Sequence, residues 1–171
     1  MAKSNRPSVS VLVPVYNVAK YLRQCLDSLI HQTLRDIEIV CVNDGSTDDS
    51  AKILEEYAQK DARIVVVHKQ NGGLPSARNA GLDAARGEYV GFVDADDYVD
   101  LQMFARMYAR ARKMKADIGV CGANCIPCPR RIGLNIRFPR IKFSTKAPPS
   151  WRCCTSGERA PSCGEILSTA N

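Results

Sequence analysis

The chain has 171 residues, 45% of them hydrophobic and 25% charged, the composition of an ordinary globular protein with enough length for one domain and a real core. No apolar run approaches the roughly 18 residues that a membrane-spanning helix needs, and the longest candidate, Val9 to Val15, is interrupted by Pro14. The net charge of +6 belongs to the C-terminal part: residues 1–126 hold 16 basic and 16 acidic side chains, residues 127–171 hold eight and two. The basic pI is therefore no nucleic-acid signal for the domain itself.

Lys3 and Arg6 precede the first apolar run in the manner of a short signal peptide. The run is only about a strand long and no small-residue cleavage site follows, so a cytoplasmic first strand is expected. From there β-rich runs alternate with amphipathic segments. Val9 to Val13 reads as a strand, and Leu22, Cys25, Leu26, Leu29 and Ile30 then follow the stripe of a helix. Ile37 to Val42 is the second strand; Ile53, Leu54, Tyr57 and Ala58 mark a helix ending near Asp61. Ile64 to His68 is the third strand, and Leu74 to Ala85 a helix closed by Arg86-Gly87. Tyr89 to Val93 is the fourth strand, followed by a helix through Leu101, Phe104, Met107, Tyr108 and Ala111 and a last strand at Ile118 to Cys121.

This alternation predicts an α/β fold with a parallel or mostly parallel sheet covered on both faces. Ligands of such sheets sit outside the carboxyl ends of the strands. Asn17, Asn43-Asp44 and Asp94 to Asp97 all fall there. In Val90-Gly-Phe-Val-Asp94-Ala-Asp96-Asp97, alternation in an extended segment would turn Asp94 and Asp96 to one side and leave Asp97 elsewhere. Gathered carboxylates repel one another unless a cation neutralises them, and a divalent ion itself bound to phosphates is the usual remedy. The same acids also read as a turn before the helix that begins near Asp100.

After Cys121 the periodicity stops. Residues 127–171 contain six of the nine prolines and the cysteines at 128, 153, 154 and 163, and read as an irregular, basic, disordered tail. So abrupt a change is also what a frameshifted or mis-joined translation would give. Cys121-x3-Cys125-x2-Cys128 with Cys153-Cys154 matches zinc spacing only loosely, so reduced thiols without zinc are expected.

Four stretches, in this order and spacing, resemble the glycosyltransferases of family 2: Val11-Leu-Val-Pro-Val-Tyr-Asn17; Val42-Asn-Asp44-Gly-Ser-Thr-Asp48-Asp-Ser50; Gln70-Asn-Gly-Gly73 with Ala77-Arg78-Asn79-Ala-Gly81; and Phe92-Val-Asp94-Ala-Asp96-Asp97. The resemblance covers residues 8–122, a partial nucleotide-sugar-binding domain. It implies the GT-A type of Rossmann-like fold, a nucleotide-diphospho-sugar donor, UDP-linked, a divalent cation such as Mn²⁺ or Mg²⁺, and transfer with inversion to an acceptor hydroxyl, as in polysaccharide or glycoconjugate synthesis. Pro14, Val15, Tyr16 and Asn17 would lie beside the base, Asp44 would accept hydrogen bonds from base or ribose, and Arg78 would sit close to the nucleotide. Asp94 would hold ribose and Asp96 the metal, with Asp97 an alternative metal ligand.

The family's general base lies well beyond the Asp-x-Asp motif, and here the only acids after Asp117 are Glu158 and Glu165. The base and the acceptor half are therefore expected to be missing from a truncated chain. His31 and His68 end a helix and a strand and read as structural or surface histidines. The acceptor is an unidentified carbohydrate or lipid-linked molecule, and peripheral association is the only membrane contact that fits. A non-catalytic nucleotide-sugar-binding fragment is the alternative. A dinucleotide-binding protein would need Gly-x-Gly-x-x-Gly where Pro14-Val-Tyr-Asn17 stands. Nucleic-acid binding through the tail ranks last, because only Phe138, Phe143 and Trp151 interleave its charges.

Overall fold

The first two strands are buried almost throughout, and alternation of their side chains between the two faces divides the core into two layers. Val9, Val11, Val13 and Val15 point to one face of the sheet with Ile37, Ile39 and Cys41, while Leu12, Val40 and Val42 point to the other. In the computed structural model, which describes residues 6–121 together with the strands at 142–144 and 166–169, the elements follow the expected order. They are β1 (Val9–Val15), α1 (Ala19–Ile30), β2 (Ile37–Asp44), α2 (Ser50–Lys60), β3 (Ile64–Lys69), α3 (Gly73–Ala84), β4 (Tyr89–Phe92), α4 (Met103–Met114), β5 (Ile118–Val120), β6 (Lys142–Ser144) and β7 (Ile166–Thr169).

The sheet has the strand order β3-β2-β1-β4-β7-β5-β6. The first four strands of that order are mutually parallel, whereas β7 runs antiparallel to both β4 and β5, and β6 antiparallel to β5. The sheet is thus mostly parallel in the half that carries the motifs. Helices α1, α2 and α4 cover one face through Leu22, Leu26, Leu29, Ile53, Leu54 and Phe104, and α3 covers the other through Ala77. Each fully buried leucine of α1 contributes roughly 1.5–3 kcal/mol relative to exposure, so its stripe outweighs a start at Val18 that has no side-chain cap of its own.

The fourth strand differs from expectation. It ends at Phe92, and Asp94 to Asp97 form a turn closed by the Asp97 N–H donating to the Asp94 carbonyl at 3.0 Å. Strand alternation therefore does not decide where these carboxylates point. Of the 127–171 segment, β6 and β7 are described and are strands of the sheet. The rest of it, with Glu158, Glu165 and the cysteines from 125 onward, lies outside the described residues. So do the expectations of disorder and frameshift.

At the amino ends of the strands, opposite the motifs, Glu38 of β2 is buried. It sits beside Ser10 in the register, accepts the Ser10 hydroxyl, and takes the Arg86 amide at 2.5 Å and the Arg86 guanidinium at 2.9 and 3.0 Å. Gly87 completes this knot, because a Cβ there would come within 2.5 Å of the Ser10 nitrogen. Burial pushes the Glu38 carboxyl up, but the Ser10 hydroxyl and the Arg86 amide and guanidinium outweigh it and hold it below the ordinary 4.5. A carboxylate with a depressed folded value stabilises fully above its unfolded value and loses that contribution as pH falls through the folded one. Glu38→Gln is accordingly expected to cost about 2 kcal/mol at pH 7, the worth of hydrogen bonds to a charged group. Urea unfolding of both proteins checks this: the gap should be whole at pH 7 and shrink steadily below pH 4.5.

Candidate functional site

The carboxyl ends of β1, β2 and β4 open into a cavity of about 420 Å³. Its walls are Pro14, Val15, Tyr16 and Val18 from the end of β1 and the loop after it, Asp44 from β2, Asn71 before α3, Gly73, Leu74 and Ala77 from the start of α3, and Asp94, Ala95 and Asp96 after β4. Tyr16 and Leu74 are each about half exposed, at 49% and 47%. Such apolar groups beside convergent carboxylates are the makings of a site for a ligand with a flat ring and polar substituents.

Asp44 is buried at the last position of β2 and lies opposite Lys69 in the parallel register. One oxygen accepts the Lys69 ammonium at 2.5 Å and the Gly72 amide at 3.0 Å; the other accepts the Gly73 amide at 2.8 Å. Burial alone would raise this carboxyl. The lysine and the two amides at the amino end of α3 outweigh it and keep Asp44 below the ordinary carboxylate range. Asp44 therefore fixes where α3 begins, and with it Gly73, Leu74 and Ala77 of the cavity wall. Gly45 next to it has φ +72° and leaves no room for a side chain, since a Cβ would meet the Asn71 nitrogen at 2.9 Å.

The wall from β1 is held by the loop after β2. Asn17 adopts a left-handed conformation, φ 52°, which asparagine tolerates better than most residues. Its N–H donates to Ser46 Oγ at 3.2 Å, and its Oδ1 accepts the Thr47 N–H at 2.8 Å. Val18 N–H donates to Ser50 Oγ at 3.2 Å. Asp48 then accepts the Ala19 N–H at 3.0 Å with one oxygen and the Ser50 N–H at 2.9 Å with the other, so a single carboxylate caps the starts of α1 and α2. These amides and the Ser50 hydroxyl hold the Asp48 carboxyl below its usual range against the upward push of burial.

Of the residues singled out in the sequence, Pro14, Val15, Tyr16, Asp44, Asp94 and Asp96 line the cavity together. Asn17, Arg78 and Asp97 do not. Asn17 shapes the loop from behind. Arg78 donates from Nη2 to Asp94 Oδ1 at 3.1 Å, with its guanidinium carbon 5.9 Å from the centre of the Phe92 ring and its buried Nε without a partner. Burial, and to a lesser extent the charges of Asp96 and Asp94, raises the Asp97 carboxyl. Both histidines stand where expected: His31 caps α1, its Nδ1 2.7 Å from the Asp27 carbonyl, and His68 lies on β3, with Nε2 2.7 Å from Glu55.

Lys69, Asn71, Leu74 and Asp48 were not legible as site residues. The pairing of Lys69 with Asp44 follows from β2–β3 register, which no local pattern discloses, although the Asp-Gly-Ser-Thr-Asp run did hold a capping signal for α2 at Asp48.

Comparison with known proteins accounts for the arrangement. The chain is 56% identical over 116 residues to the uncharacterized glycosyltransferase EpsJ of Bacillus subtilis, a match covering 68% of this chain and 34% of EpsJ. Among solved structures it resembles S. aureus TarS 1-349 in complex with UDP-GlcNAc, at 36% identity and a TM-score of 0.62 over 65% of this chain and 33% of TarS. It also resembles the mannosyltransferase PcManGT of Pyrobaculum calidifontis in complex with GDP-Man and Mn²⁺, at 26% identity and a TM-score of 0.61 over 74% of this chain and 37% of PcManGT. The chain thus spans about a third of the length of these relatives. The sheet and its flanking helices are of the GT-A, Rossmann-like type that TarS has. The model of the glycosyl transferase family 2 matches residues 10–163, and the chain belongs to that family.

Proposed function

We infer that the cavity holds the nucleoside diphosphate of a UDP-linked sugar, and that the protein transfers this sugar with inversion to an acceptor hydroxyl in polysaccharide or glycoconjugate synthesis. The observation that carries this reading is a 420 Å³ cavity lined by Asp44 at the end of β2 and by Asp94 and Asp96 after β4, with the half-exposed Tyr16 also in its wall. Complexes of TarS with UDP-GlcNAc and of PcManGT with GDP-Man and Mn²⁺ support it. The carboxylate of Asp44 has about four acceptor positions, and the three protein donors it accepts leave one for an N–H of the base or a hydroxyl of the ribose. Asp94, bonded by Arg78, would receive a ribose hydroxyl.

A divalent cation fits the remaining acids. Asp96 and Asp97 are exposed hard oxygen donors, and of the two causes that raise the Asp97 carboxyl, burial first and repulsion from Asp96 and Asp94 second, the latter is one that such an ion would relieve. Among the described residues no three His, Cys, Asp or Glu side chains gather around one point, so the protein would supply one or two carboxylates and the diphosphate the rest, as Mg²⁺ commonly accepts. When bound, the ion would stabilise the charge that builds on the departing diphosphate without any proton transfer. The chain's own part is to orient the donor between Tyr16, Asp44 and Asp94 and to keep its sugar at the mouth of the cavity.

We take the cytoplasm as the compartment. Cys41 is buried and forms no disulfide, which suits a reducing environment, and burial pushes its thiol up to about 12, leaving it inert. Among the described residues no helix is long and apolar enough to cross a membrane.

Calorimetric titration of UDP should give tighter binding with Mn²⁺ or Mg²⁺ than with a chelator, because the carboxylates and the diphosphate otherwise repel. Equal affinity in both conditions would remove the metal from the reading; no binding in either would remove the donor. Asp96→Asn should weaken metal-dependent binding more than Asp97→Asn, since only Asp96 of the two lines the cavity. Metal titrations of the two variants giving an equal or reversed ranking would contradict that assignment.

A further inference from the structure

Asn43 is a buried amide just before Asp44, and it makes no part of the cavity wall. Its Oδ1 accepts the Ser46 backbone N–H at 2.9 Å. A backbone N–H can only donate, so this contact fixes which end of the amide is oxygen. The NH₂ end is then the one that meets His68 Nδ1 at 3.0 Å, directly across the β2–β3 register. An NH₂ group also only donates, hence Nδ1 must carry its lone pair. The proton of the neutral ring is left on Nε2, where Glu55 Oε1 of α2 receives it at 2.7 Å. Each link from Glu55 to His68, Asn43 and Ser46 therefore has one permitted polarity.

The last link reaches the cavity. Ser46 Oγ accepts the Asn17 N–H at 3.2 Å, and Asn17 is the left-handed residue between Tyr16 and Val18, both of which line the cavity. If the Ser46 amide lost its acceptor, the turn that holds Asn17 from behind would be free to reorient. We propose that His68, as the neutral Nε2–H form, is a positioning residue for the donor pocket, acting through Asn43 and Ser46 on the Tyr16–Val18 wall. The assignment rests on the donor-binding reading above. It distinguishes His68 from an ordinary surface histidine, since a doubly protonated ring would set an N–H against the Asn43 NH₂ and break the relay at its second link.

The test uses the full chain, labelled with ¹⁵N. A long-range ¹H–¹⁵N correlation spectrum of the free protein at neutral pH should show His68 with its proton on Nε2 and a bare Nδ1. In Asn43→Asp, a carboxylate oxygen replaces the NH₂ and Nδ1 should gain a proton. UDP titrations in Mg²⁺ should show His68→Leu weakened about threefold to tenfold, the range of one net hydrogen bond expressed as affinity. His68→Asn should restore most of that loss, because its side-chain oxygen can take the place of Nδ1. His68 is about half exposed, so the variants are expected to fold; should His68→Leu fail to, the wild-type tautomer and the Asn43→Asp inversion decide the matter. A proton on Nδ1 in the wild type, unchanged UDP affinity in His68→Leu, or no rescue by His68→Asn would each overturn the proposal. Failure of the wild type to bind UDP would overturn the donor-binding reading with it, whereas wild-type binding with unchanged His68→Leu removes only the role of His68.

Discussion

A buried carboxylate at the end of a parallel strand is the constraint on which the motif-bearing edge depends. Asp44 lines the cavity yet is almost wholly buried, and an ion in that position is costly unless it is paired and hydrogen-bonded. Its partners are supplied by two elements at once: Lys69 from β3, across the sheet, and the first amides of α3. Satisfying one charge thus fixes the order in which three segments meet. It also explains why the Gln70-Asn-Gly-Gly73 stretch contains consecutive glycines. Gly73 has φ +81°, a conformation that lets its amide turn toward Asp44 with little strain.

Asp48 plays the matching part on the other side. Three backbone amides of the loop after β1 and its helix start are bonded to side chains of the segment after β2, and the Thr47 amide of that segment bonds Asn17 Oδ1 in return. Individually each bond contributes only about 1 kcal/mol. Collectively they hold Tyr16 and Val18, on either side of Asn17, in place at the cavity wall. The opposite end of the sheet is closed by the Glu38–Arg86 knot, which pins the same strands at their start. The strands are thereby fixed at both ends.

Much of this was legible in the residues. Five strand segments and four helices fall where periodicity placed them, because each is long enough for its stripe to outweigh local propensity: Leu22, Leu26 and Leu29 could hardly lie on anything but one face of a helix. The polar strand ends were recognisable for the same reason. What sequence could not supply was tertiary closure. The antiparallel insertion of β7 between β4 and β5 pairs Val90 with Ser168 and Val120 with Ile166, far apart in the chain, and leaves no local signature. Alternation gave Asp94 and Asp96 one side, and the two do share the cavity. They do so as members of a turn, because β4 gives way after Phe92. Arg78 and Asn17 were chosen as ligand contacts and stand one layer behind, the first on Asp94 and the second on Thr47. The motif records both kinds of residue alike, since holding a ligand and holding what holds it call for the same side chains.

The central claim is that one edge of the sheet, and not the other, receives a nucleoside diphosphate. Backbone amide shifts on adding UDP with Mg²⁺ test it most directly. The account predicts that Tyr16, Gly72, Gly73 and Asp96 move together while Arg86 and Gly87 at the far end stay still. Shifts centred on Arg86 and Gly87, or no shifts at saturating UDP, would contradict it.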